Sequence, residues 1–405
     1  MNAFIARQPI FDVNLNVVAY ELLFRDGFDN AFDWADDTEA TSRVIVNSFL
    51  NFEIEKLTGG KRAFINVNRE VLIRNYIHLL PANKVVPEIL ETVLVDREVI
   101  EACQQLKKAG FDIALDDLTE LKGWSQLKDF LDVVKVDFSQ TSVEQQSFFA
   151  DHFLPRKINI LAEKVETREE FSRAQQLGYQ YFQGFFFAQP EMLFRKEIPG
   201  TKLHYLGLLQ EINHHEFDLI DLAAIVERDV SLSYKLLRYI NATYFTQQRE
   251  IRSLHQALVT LGEKQIRQWA SLVAVSMIAD EKPDEVLRMS IARAKFCELL
   301  ATNAIQQWHV TDAFLVGMFS LLDVVLDTPM SEIMESVPLS QNIKDGLLGE
   351  GGFERQLLDL AISYERADWA NAISLAQPLG LDSGFLPIAY LEALEWASQS
   401  IDLMG

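Results

Sequence analysis

The fold class predicted by this sequence is a TIM-like α/β barrel, its first strand antiparallel, followed by an all-α domain. Three observations predict it. Apolar, strand-like runs in the first half each end in a polar residue; those residues recur at the spacing of one strand plus one helix; and beyond about residue 200 the periodicity is helical throughout. The polar residues are Glu21 closing VVAYE, Asn66 in AFIN, Glu88 after KVVP, Asp116 and Asp117 closing FDIALDD, Lys135 in DVVK, Glu163 closing INILAE and Gln183 closing YQYFQ. After a first gap of 45 residues they follow at 22, 28, 19, 28 and 20. Successive units would deliver one polar group apiece to the same end of a parallel sheet. If the sheet closes, the groups converge where barrel enzymes keep their chemistry. Carboxylates so crowded repel unless cations hold them, which implies a metal site. Taken singly, each has a plainer role: Asp116-Asp117 could begin a turn, Asn66 could cap a helix and Lys135 could be a surface lysine.

In chain order, FIARQPIF and NVVAYELLF are two strands joined by a polar turn at Asp12 to Leu15, an antiparallel start. Glu39 to Lys56 reads as a helix after an Asp- and Phe-rich loop. AFINV, KVVPEIL, FDIALD, VVKVD, INILAE and YQYFQGFFFA are the remaining strands, with helical periodicity between them. Thr141 to Glu144 and Thr167 to Glu170 have the form of capping boxes, and Gly110 and Gly178 stand where helices should end. Near Pro190 the pattern changes, placing a barrel domain at 1–197 and a helical domain at 198–405. In the latter, apolar residues recur three and four apart, with Asp218, Ser231 and Ser253 as N-caps.

Bulk properties exclude several classes. The net charge of -22 over 405 residues argues against a nucleic-acid partner. No run of 18 or more uncharged apolar residues is present, and Arg7 and Asp12 interrupt the N-terminus where a signal peptide needs an apolar stretch, so no membrane partner and a cytoplasmic location are expected. Cys103 and Cys297, the two cysteines, read as buried free thiols.

The motifs resemble, in order over residues 3 to 190, the EAL family of cyclic di-GMP phosphodiesterases. They are Gln8-Pro9-Ile10; Glu21-Leu22-Leu23-Phe24-Arg25 for the namesake Glu-Ala-Leu; Ile65-Asn66-Val67; Glu88-Ile89-Leu90-Glu91; Asp116-Asp117; Lys135-Val136-Asp137; Ala162-Glu163-Lys164-Val165-Glu166; and Gln183-Gly184. The resemblance implies hydrolysis of cyclic di-GMP to linear pGpG with two Mg²⁺ or Mn²⁺ ions. It implies Glu21, Asn66, Glu88, Asp116 and Asp117 as metal ligands, and Lys135 and Glu163 as catalytic groups. Gln8, Arg25 and Gln183 are implied to contact substrate or its metal-bound solvent. Glu91 and Glu166, beside the catalytic groups, and Asp137, beside the substrate, fit either support of the site or the surface. Hard oxygen ligands suit such ions, and a pair of ions can steady both oxygens of an in-line displacement.

The departures are the loop after Asp117, Leu118 to Trp124, which lacks the family's early glycines; Leu22 for a small residue; and Lys164 for a glycine. The altered loop favours the competing expectation, a weak or inactive receptor or scaffold that signals through protein contacts. Residues 200 to about 395 resemble the HDOD domain, on Glu227 to Leu232, Lys235 to Asn241, Ser253 to Ala257, Leu261-Gly262, Arg293-Ala294 with Cys297-Glu298, and Phe314 to Phe319. Leu322-Asp323 stands where an active relative would have His-Asp, and His204, His214, His215, His255 and His309 lack acids at ligand spacing. That half is therefore expected to bind a signalling protein, and a homodimer is compatible with the resemblance.

Overall fold

In the computed structural model the described residues are 3–26, 54–118, 126–188, 261–280, 282–305, 310–337 and 339–404, with scattered positions between 202 and 240. They fall into two compact units, Met1–Gln189 with Glu365–Asp368, and Pro190–Tyr364 with Trp369–Gly405.

The first unit is a closed eight-stranded barrel in which every strand pairs with its chain neighbours and the eighth returns to the first. Its strands are β1 (Ala3–Phe11), β2 (Val17–Asp26), β3 (Arg62–Val67), β4 (Val85–Ile89), β5 (Ala114–Leu115), β6 (Val133–Asp137), β7 (Asn159–Glu163) and β8 (Tyr181–Phe182). β1 runs antiparallel to β2 and to β8, whereas the pairs from β2 to β8 are parallel. The expected barrel with an antiparallel start is thus the fold observed.

Register explains the interior. Ile10, Ala19, Phe64, Val86, Ala114, Val133 and Leu161 form one buried apolar cluster, with Tyr181 packed against it. Side chains two apart on a strand share a face. The next residue on that face is therefore Glu21 after Ala19, Asn66 after Phe64, Glu88 after Val86 and Asp116 after Ala114. On the remaining strands it is Lys135 after Val133, Glu163 after Leu161 and Gln183 after Tyr181. Because β1 runs the other way, its contribution precedes the apolar residue: Gln8 stands two before Ile10 and opposite Glu21. A polar layer lies one pleat above an apolar floor.

Several local expectations are corrected. β5 is two residues long rather than six, because the Ile113 amide donates to the Asp132 side chain (2.8 Å) instead of a strand neighbour. β8 stops at Phe182, and Phe186–Ala188 coil into a 3₁₀ turn, burying Phe186 and Phe187 against Phe11, with Phe171 stacked on Phe186. The helix Val143–Phe153 is capped by a box of Ser142 and Gln145, one residue beyond the pair read from sequence, since the Thr141 hydroxyl donates to the Asp137 carbonyl. The box of Thr167 and Glu170 is present as expected. Of the helix expected over Glu39 to Lys56, only residues 54–56 lie within the described residues, in a helix Ile54–Thr58, and Asp218, Ser231, Ser253 and Asn241 lie outside them.

In the second unit every described element is helical. The helix Asp284–Asn303 packs along Val310–Phe319 and Phe385–Met404. Gly317 permits the first contact, since a Cβ there would sit 2.6 Å from the Arg293 carbonyl oxygen. Both cysteines are buried and free. No described helix is long and apolar enough to cross a membrane.

Gly184 closes the barrel. At φ 142, a Cβ would lie 2.1 Å from the Val165 carbonyl oxygen, which accepts from the Phe186 amide, while the Val165 amide donates to the Gln183 carbonyl. Both the backbone conformation and the space are closed to a side chain. Gly184→Ala is expected to cost about 3 kcal/mol, combining strain and overpacking; a lowered urea midpoint measured on the full chain checks this.

Candidate active site

Barrel closure gathers the polar layer around Lys135, a lysine 1% exposed. Its ammonium pairs with Glu163 Oε1 at 2.5 Å, with Glu21 Oε2 and Asp116 Oδ1 at 3.2 Å each, and with Glu88. Asn66 Nδ2 donates to Glu21 Oε1 (3.1 Å), and Gln183 Nε2 donates to both Glu21 Oε2 (2.6 Å) and Gln8 Oε1 (2.9 Å). One positive charge faces four carboxylates. Burial, followed by the neighbouring carboxylates, pushes Glu88 and Glu163 well above the ordinary range despite Lys135. Burial also acts to raise Asp116, but Lys135 and hydrogen bonds outweigh it and hold that group low. Burial acts to discharge Lys135, yet the four carboxylates outweigh it and keep it an ammonium.

Two trios of carboxylates offer oxygens within 4.8 Å of one another: Glu21, Glu88 and Glu163, all buried, and Glu91, Asp116 and Asp117 further out. Five oxygens of this layer are buried without a hydrogen-bond donor: Asn66 Oδ1, Glu88 Oε2, Asp117 Oδ1, Glu163 Oε2 and Gln183 Oε1. Orphaned acceptors of this kind are rare in a folded interior, and here all five are hard oxygen donors of the sort that Mg²⁺ and Mn²⁺ take. The residues present therefore fit divalent ions. A cleft of about 320 Å³ opens beside them, lined in part by Gln8, Glu21, Asp116, Asp117, Glu163, Lys164, Glu166 and Gln183.

The other residues singled out from sequence are placed differently. Glu91 is exposed but belongs to the outer trio. Glu166 is exposed at the mouth of the cleft, its amide donating to Glu170. Asp137 is fully buried and turned to its own loop: its carboxylate accepts from the Ser139 amide (2.7 Å) and hydroxyl (2.6 Å), from the Gln140 amide (3.2 Å) and side chain (2.9 Å), and from Lys164 (2.6 Å). Both oxygens of Asp137 are thus engaged, one of them with Lys164. Arg25 lies on β2 opposite Phe4, with its side chain outside the described residues, as are most of the altered loop (residues 119–125) and all five histidines of the second half.

In the sequence Lys164 stands out only as a departure from a glycine, and no strand or helix pattern marks it. The register pair Asp137 and Glu163 was the available signal, because it sets the residue after Glu163 beside the end of β6. Burial acts to lower Lys164, but Asp137 and Asp117 outweigh it and hold its ammonium above the ordinary lysine value.

A closed barrel with a carboxylate layer at the carboxyl ends of its strands defines a metal-dependent hydrolase-like centre, and the comparisons sharpen that class. Residues 39–190 match the EAL domain model and residues 198–342 the HDOD domain model. The first match begins beyond Gln8 and Glu21, which join the site through the hairpin register alone. The chain is 36% identical to the cyclic di-GMP phosphodiesterase CdgJ of Vibrio cholerae, over 98% of this chain and 93% of that protein. It is 34% identical to the uncharacterized protein YuxH of Bacillus subtilis, over 99% of this chain and 100% of that one. Among solved structures, the calcium and cyclic di-GMP complex of Klebsiella pneumoniae BlrP1 is 23% identical, with a TM-score of 0.40, covering 47% of this chain and 56% of that one. The chain belongs to the family that joins an EAL domain to an HDOD domain.

Two outcomes follow from the charge balance. Ligands must be deprotonated to hold a metal, so with Glu88 and Glu163 raised, Mn²⁺ affinity is expected to rise with pH, with proton release on binding; calorimetry in buffers of different ionisation enthalpy reads both. Lys135→Met leaves the carboxylates without their buried counter-charge and is expected to cost about 3–5 kcal/mol near neutral pH. A carboxylate raised in the folded state contributes stability below its unfolded value, ordinarily 4.5 for Glu, and loses it as pH rises through the folded value. The deficit should therefore shrink on acidification, as seen in melting temperatures of the metal-free proteins between pH 5 and 8.

Proposed function

We propose that the barrel hydrolyses cyclic di-GMP to linear pGpG with two divalent ions, Mg²⁺ or Mn²⁺, and that the helical unit tunes this output through a signalling protein partner. The observation that carries the reading is the oxygen layer of Glu21, Asn66, Glu88, Asp116, Asp117, Glu163 and Gln183, with its donorless acceptors, in a chain aligned almost end to end with CdgJ. The domain limits we propose are 1–197 and 198–405.

In this reading Glu21, Asn66, Glu88 and Asp116 hold one ion, and Asp116 with Asp117 and Glu91 hold the other. Bound there, the ions supply Lewis acidity toward the phosphodiester and an acidified water. The chain's own groups do the rest. Lys135, with a charge that burial cannot remove, offers positive potential toward a phosphate that gains negative charge in the displacement. Glu163, whose second oxygen has no donor, is placed to take a proton from water at that oxygen. Gln183 and Gln8, hydrogen-bonded to each other, fix the orientation of Glu21. Arg25 is assigned to a phosphate oxygen, which its planar fork suits, and Glu166 to the rim of the cleft.

A second reading, a receptor that binds the dinucleotide without turning it over, draws support from the ion pair of Lys164 with Asp117 at 3.6 Å. The test incubates the full chain and its Glu21→Ala variant with cyclic di-GMP and Mn²⁺ and quantifies pGpG. Hydrolysis by the wild type and a loss of at least ~100-fold in the variant are expected, the scale of removing a group that stabilises transition-state charge. Binding without product sinks the enzymatic reading in favour of the receptor.

A further inference from the structure

Lys164 is a charged residue of the cleft whose side chain the proposed reaction does not use. It follows Glu163 at φ 52, a left-handed setting that side chains with a Cβ disfavour. Strained residues persist only where surrounding structure holds them, and here the holding is visible. Asp137, locked by four bonds from Ser139 and Gln140, pins the Lys164 ammonium at 2.6 Å. That leaves the same ammonium 3.6 Å from Asp117 Oδ1, a buried oxygen with no hydrogen-bond donor. Asp117 itself adopts φ 42, so two left-handed residues face each other across the cleft. Asp117 is also a member of the outer trio with Glu91 and Asp116. The inner trio of Glu21, Glu88 and Glu163 meets a different ammonium, that of Lys135.

We infer that Lys164 is a tethered counter-cation for the outer trio, a positioning residue that competes with the second divalent ion for Asp117 and so sets the ion concentration at which the outer position fills. The inference rests on the two-ion reading. Its physical content is like-charge exclusion: a fixed ammonium and a divalent cation served by one carboxylate oppose each other, while the inner trio, already paired to Lys135, is affected less. The lysine side chain is half exposed, whereas Asp137 is fully buried, so the ammonium can withdraw toward water while its anchor stays in place. The outer position thereby becomes the one that responds to divalent ion supply.

Mn²⁺ titration of the full chain by calorimetry, with electron paramagnetic resonance to detect coupled ion pairs, tests this on wild type, Lys164→Met, Lys164→Gly and Lys164→Arg. The wild type should show a tighter and a weaker step. Met and Gly should tighten the weaker step by about tenfold or more and leave the tighter one within about twofold, while Arg, which keeps the charge, should behave as wild type. Glycine also relieves the strained backbone, so that variant has no reason to misfold. A weaker step unchanged or loosened in both neutral variants overturns the inference. So does a fall in cyclic di-GMP affinity with both ion steps unchanged, which would make Lys164 a phosphate contact. In either case two steps remain, the tighter abolished by Glu21→Ala, and the two-ion reading stands; uptake of no Mn²⁺ by any protein overturns both.

Discussion

One buried ammonium among four carboxylates is the constraint on which the barrel's upper layer depends. Lys135 could not be there alone, and neither could its neighbours, because an ion stripped of water needs compensation close at hand. The compensation is incomplete: four negative groups share one positive charge, and the second oxygens of Glu88 and Glu163 lack donors. A protein interior ordinarily removes such a deficit during evolution, by substituting apolar residues or by adding donors. Retaining it in the polar layer of the barrel is sensible only where something charged is meant to enter. The same deficit that weakens the metal-free fold is what gives affinity to an incoming cation.

The helical unit offers a contrast from within the same chain. Glu298 is also a buried carboxylate, but it meets Lys264 at 2.7 Å, Lys295 at 3.0 Å and the Gln268 amide at 2.8 Å. Burial tends to raise it, and its partners outweigh that and hold it below the ordinary range. Asp323 accepts from the Val324 amide and is raised by burial. Among the described residues, the groups able to hold a metal lie in the barrel alone. Satisfied charge at Glu298 and unsatisfied charge in the barrel's polar layer divide structural from chemical duty.

Much of this was legible in the sequence because a strand has a period of two. Once Glu21, Asn66, Glu88, Asp116, Lys135 and Glu163 are each seen two residues beyond an apolar position, the shared face follows, and the spacing of strand-helix units supplies the closed sheet. What was not legible depends on backbone detail. The Asp132 side chain replaces a strand partner and shortens β5; the Thr141 hydroxyl is drawn to Asp137 and shifts a cap by one residue; Asp137 turns inward to its own loop. Lys164 escaped because its position depends on a left-handed φ, which no hydrophobic pattern encodes.

The antiparallel hairpin at the start carries a consequence of its own. Gln8 and Glu21 face each other across β1 and β2, joined by the short polar turn where the Asp12 carboxylate accepts from the Asn14 and Asn16 amides. Every other member of the polar layer arrives on its own strand and can be lost singly, but these two are geared together. Inserting or deleting one residue in that turn would rotate the return strand by a half-period and carry Glu21 out of the interior along with its apolar neighbours. Length in this hairpin therefore constrains the site more tightly than the identity of its turn residues does.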